Sequence, residues 1–98
     1  MMSREDFIFT LGYEGSVAIV DGRAKRKYRG YSAPQLAEAG LFKAAVCAAL
    51  YDEDQAALEK VLRSYNSGTE KKVATVEELK RVFGVTHVPK DITKVNVF

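Results

Sequence analysis

The chain predicts an α+β fold, and three observations carry that prediction. Strand-like runs cluster at the beginning, with Asp21-Gly22 placed to join two of them. Helical periodicity fills the middle, and one further strand-like run follows near the end. Strands grouped in this way, rather than alternating with helices, predict helices packed on one face of a mostly antiparallel sheet.

Phe7-Ile8-Phe9-Thr10-Leu11 is rich in strand formers and suits a strand over about 7–12. The glycines of Gly12-Tyr13-Glu14-Gly15-Ser16 provide a turn. Val17-Ala18-Ile19-Val20 is apolar at every position, so a strand over about 16–21 is expected to be covered on both faces. Asp-Gly after such a run signals a type I′ hairpin turn. It predicts a third strand over about 23–29 beside 17–20, completing an antiparallel meander. That strand would show Ala24, Arg26 and Tyr28 on one face and Arg23, Lys25, Lys27 and Arg29 on the other. A face with four cations is expected at a solvated sheet edge.

Two helices are expected next, over about 33–50 and 53–65. Ser32-Ala33-Pro34-Gln35 reads as a capping box with proline in the first turn. Gly40 reads either as a helix end or as a weak point in one helix. The alanine-rich run Leu41–Tyr51 is apolar nearly all round and is the expected buried central helix. Asp52 is placed to cap the next helix, and Asp52-Glu53-Asp54 to favour its positive end. Leu58, Val61, Leu62 and Tyr65 follow at i, i+3, i+4 and i+7, one apolar stripe. Thr75-Val76-Glu77-Glu78 opens a short helix over 76–83 with Val76, Leu79, Val82 and Phe83 on its apolar side. A final strand is expected over about 92–98, with Thr93, Val95 and Val97 on one face.

Residues 1–98 read as a single small globular domain. An apolar fraction of 47% with 29% charged residues is enough to build a core and argues against disorder. No long apolar run opens the chain, and none is long enough to span a bilayer. With Cys47 as the only cysteine, no intrachain disulfide is possible. A soluble, cytoplasmic protein with no membrane partner is expected.

Charge is uneven. The net charge is +2, but residues 23–31 carry five cations and no acid, for +5. Arg23, Lys25, Arg26, Lys27 and Arg29, with Tyr28 and Tyr31 among them, form the expected interaction surface. Cations neutralise phosphates, and tyrosines can stack on unpaired bases, so RNA is a possible partner and DNA a less favoured one. Lys and Arg also protect an edge strand from aggregation, which is the competing structural explanation.

Chemistry is sparse. His87 is the only histidine and has no cysteine near it in sequence, so no metal site is expected. Cys47 lies in an apolar run and reads as a core residue rather than a nucleophile. The glycine loops lack nucleotide-binding spacing, so no cofactor is expected. No stretch matches a motif whose function can be carried over. No catalytic residue is assigned. The expected function is a non-enzymatic interaction module that binds a protein partner or itself, with a homodimer as one outcome; the alternative is a small nucleic-acid binder.

Overall fold

The computed structural model describes residues 2–98. In chain order the elements are α1 (Arg4–Ile8), β1 (Thr10–Glu14), β2 (Val17–Val20), α2 (Gly22–Lys27), α3 (Ala33–Glu38), α4 (Phe42–Tyr51), α5 (Gln55–Ser67), α6 (Val76–Phe83) and β3 (Lys94–Val97). The fold is α+β, with the helices packed against a three-stranded sheet.

The sheet order is β1-β2-β3, with β1 antiparallel and β3 parallel to β2. Two expectations are corrected here. Residues 23–29 are not a strand, and the sheet is mixed rather than an antiparallel meander. The place beside β2 is taken by the C-terminal strand, with Ala18 opposite Val95 and Val20 opposite Val97. Alanine and lysine are poor strand formers, whereas Val95 and Val97 are good ones. A parallel pair needs a long crossover, and the five helices α2–α6 supply it.

The first predicted strand is also shifted. Ser3 accepts the amide of Asp6 through its hydroxyl, and Glu5 and Asp6 sit in the first turn, so the chain starts as a short helix. Phe7, Ile8 and Phe9 are all buried, which strict alternation would forbid. β1 begins only at Thr10, and a register shift between Thr10 and Gly12 turns Leu11 out to 63% exposure.

Ala18 and Val20 point into the core, while Val17 and Ile19 on the opposite face are half-buried. α4 shares the core with Ala18 and Val20 and is in contact with α1, α3 and α5. Its run from Ala45 to Ala49 is fully buried, and the small side chains allow those close neighbours. The stripe Leu58, Val61 and Leu62 of α5 is buried as its periodicity predicts. Tyr65 meets Phe42 and Phe83 edge-on, at 5.4 and 5.8 Å between centroids, joining α4, α5 and α6. In α6, Val76 and Leu79 are buried but Val82 faces solvent, a departure from the expected apolar side.

Gly40 divides the segment 33–50 into two helices. It has φ of 81°, and the bonds Leu41 N to Leu36 O and Gly40 N to Ala37 O close a left-handed helix end. The same pattern ends α4, where Asp54 N reaches Ala49 O and Glu53 N reaches Leu50 O. There the left-handed residue is Glu53, with φ of 52°. The expected role of Asp52 is corrected accordingly. It closes α4 and pairs with Arg4, and Asp54 is the residue that caps α5 through the amide of Ala57.

A candidate basic interaction surface

The basic segment is a helix because Asp21 caps it. The Asp21 carboxylate accepts the amides of Arg23 and Ala24, both at 3.1 Å, so the chain turns into a helix where a hairpin was expected. Gly22 serves a different purpose from a turn glycine. Its amide donates to Phe98 O at 2.7 Å, and a Cβ built on it would lie 2.3 Å from that oxygen and 2.8 Å from Val97 Cγ1. The start of α2 is therefore held against the end of β3 by a contact only glycine permits.

Helical spacing then sorts the side chains. Ala24 and Tyr28, four residues apart, turn inward and pack against the core. Lys25 reaches Asp6 of α1, with Nζ 2.6 Å from Oδ1. Arg26 projects outward, and Arg23 and Lys27 flank the side away from Lys25. Arg23, Arg26, Lys27 and Arg29 are exposed, and none of them forms an ion pair among the described residues.

The aromatic residues mainly brace this segment. Tyr28 lies nearly parallel to Phe9, at 6.3 Å between centroids and 26° between planes. Tyr31 meets Tyr28 edge-on at 5.3 Å, and Lys27 Nζ sits 5.3 Å from the Tyr28 centroid. Arg4 donates to Tyr31 O at 3.2 Å while gripping Asp52 through Nε and Nη2, which raises the pKa of its guanidinium. The seven residues expected at the surface are thus brought together, but with unequal roles: Lys25 and Tyr28 are anchors, and the others are displayed. The supporting residues Asp6 and Phe9 were not legible as such, because that segment reads as strand.

His87 and Cys47 both line a pocket of about 220 Å³, together with Tyr13 and Lys43. Among the described residues no carboxylate lines it. The carboxylates of Glu53, Asp54 and Asp91 line a separate cleft of about 990 Å³, which His87 also borders. The His87 ring shares a hydrogen bond with Thr86 Oγ1, at 2.9 Å from Nδ1. Burial pushes the Cys47 thiol up to about 11, with Lys43 pulling weakly the other way. Burial also raises the Tyr13 phenol above its usual value. A thiol shifted upward is protonated at neutral pH and is a poor nucleophile. Among the described residues no group of three or more His, Cys, Asp or Glu side chains is arranged to hold a metal ion. No helix among them is long and apolar enough to cross a membrane.

No protein-family model, curated protein or solved structure matches the chain.

Proposed function

We propose that this chain is a non-enzymatic interaction module that captures an acidic protein segment through α2 and its exit, residues 23–31. The observation that carries the reading is the display of Arg23, Arg26, Lys27 and Arg29 without ion-pair partners on a helix fixed from several sides. Edge protection no longer accounts for these cations, because they do not lie on a strand. Complementing the helix dipole accounts for Arg26 and Lys27 in the last turn, but Arg23 sits at the positive end, where a cation is disfavoured. Pre-organised, unpaired cations favour capture of carboxylates or phosphates.

The packing of Tyr28 favours protein over nucleic acid. One ring face is held towards Phe9, Tyr31 packs perpendicular to the ring and Lys27 Nζ sits over it, so it is a poor platform for a base. Tyr31, 36% exposed, is the observation that keeps single-stranded RNA as the second reading. A two-fold homodimer through α2 would oppose like charges and is disfavoured. A cytoplasmic location suits the single unpaired thiol.

The test is fluorescence anisotropy with a labelled glutamate-rich peptide and a single-stranded oligouridine of equal charge. The wild type should bind the peptide more tightly than the RNA. Salt should weaken that binding, and Arg26→Glu/Lys27→Glu should abolish it. Absence of peptide binding at low salt, or tighter binding of RNA, refutes the reading.

A further inference from the structure

Beside α2 lies an apolar groove of about 370 Å³, with Ile8, Phe9, Leu11, Leu41, Phe42 and Phe83 on its walls. Ala24 of α2 completes one wall, so Arg23 and Lys27 stand within one helical turn of it. Lys43 also lines the groove, is exposed, and forms no ion pair among the described residues. The one carboxylate on the wall, Asp21, is engaged with the amides of Arg23 and Ala24.

We infer that the groove receives the apolar anchors of the same acidic partner, which is therefore an acidic amphipathic peptide rather than a plain polyanion. The inference rests on the cationic surface proposed above and specifies its ligand. Charge complementarity sets the occupant. Cations stand at the wall and within one turn of it, so an apolar segment lacking acids would leave them unpaired, and a basic one would be repelled. A plain acidic chain would leave the apolar walls wet. A peptide with large apolar residues at i and i+4 and glutamates between them satisfies both, in the manner of a helix laid into a groove. The bulge in β1 holds the large apolar side chain of Leu11 in the open at the groove wall, where a partner's apolar anchor would cover it.

The experiment compares two labelled peptides with the same number of glutamates. One carries leucines at i and i+4; in the other these are serines. Each is titrated against the wild type, Leu11→Glu and Arg26→Glu/Lys27→Glu. Burying one such anchor predicts that the leucine peptide binds about tenfold to a hundredfold more tightly. The advantage should persist at a salt concentration where the serine peptide is lost, and Leu11→Glu should remove it. Leu11 is mostly exposed, so this variant is expected to fold, which circular dichroism checks. Amide chemical shifts provide the second readout: the leucine peptide should move Leu11, Leu41 and Phe83 in addition to residues 23–31. Equal binding of the two peptides, both lost in the charge-reversed variant, overturns the groove but leaves the cationic surface standing. Shifts confined to 23–31 do the same. Binding of neither peptide, or of oligouridine alone, overturns both.

Discussion

Replacing Gly22 with alanine tests the junction that holds the basic helix in place. A Cβ there would lie 2.3 Å from Phe98 O and 2.8 Å from Val97 Cγ1, so either the end of β3 or the start of α2 has to move. Two backbone bonds depend on the present fit, Gly22 N to Phe98 O at 2.7 Å and Phe98 N to Val20 O at 3.0 Å. Weakening both costs about 1–2 kcal/mol, and the displacement itself about 1–3 kcal/mol. Alanine's better helix propensity offsets up to about 1 kcal/mol. The expected net loss is about 1–5 kcal/mol, a large share of the ~5–15 kcal/mol typical of a small domain. Urea unfolding followed by far-ultraviolet circular dichroism measures it. Gly12→Ala is the control, since a Cβ there meets nothing within 4 Å, and it should stay within about 0.5 kcal/mol of the wild type. Gly22→Asn separates this account from a hairpin turn. A type I′ turn accepts asparagine readily, whereas a close approach rejects any Cβ. Near-wild-type stability of Gly22→Asn would refute the close-approach argument.

Asp21→Ala should cost about 1 kcal/mol, because one carboxylate oxygen satisfies two amides of α2; a shift in the urea midpoint at unchanged slope checks it. Glu53→Gly should stabilise the protein by up to about 1 kcal/mol, since the turn between α4 and α5 already has glycine's left-handed geometry; a fall in melting temperature would contradict this. Cys47 should resist alkylation at pH 8 in the folded protein and react readily in urea, because burial pushes its pKa up to about 11. The native state then holds the thiol proton more tightly than the unfolded chain. Cys47 should therefore contribute stability below about pH 8.5 that is lost as pH rises towards 11, by up to about 3 kcal/mol, and Cys47→Ala should lack that slope.

The helical half of the molecule was largely legible, because its signals are local. Ser32 and Gln35 form the expected capping box, with the Ser32 hydroxyl accepting the Gln35 amide and the Gln35 side chain accepting the Ser32 amide. Thr75 caps α6 through the amide of Glu78. The stripe of α5 faces inward, and Cys47 is buried in α4 as its apolar surroundings suggested. Each of these depends on residues within a turn or two of one another, where hydrogen-bond geometry and periodicity act directly.

Residues 21–29 show where that legibility stops. Asp21-Gly22 is compatible with a hairpin turn and equally with a helix cap followed by a residue that tolerates close contact. The composition of the segment, rich in Lys and Arg, is also compatible with helix. The deciding factor was remote. The place beside β2 can hold one strand, and residues 94–97, more than seventy positions along the chain from it, fill that place with Val95 opposite Ala18 and Val97 opposite Val20. Once it is filled, 23–29 has no ladder to join, and its own hydrogen bonds are satisfied as a helix. The sequence by itself determined that the chain carries a concentrated cluster of cations with two tyrosines and no acid among them. Only the tertiary structure decided that the cluster is a braced helix beside an apolar groove. Strand pairing and side-chain neighbours across the fold depend on non-local competition for the same surface, which no local pattern encodes.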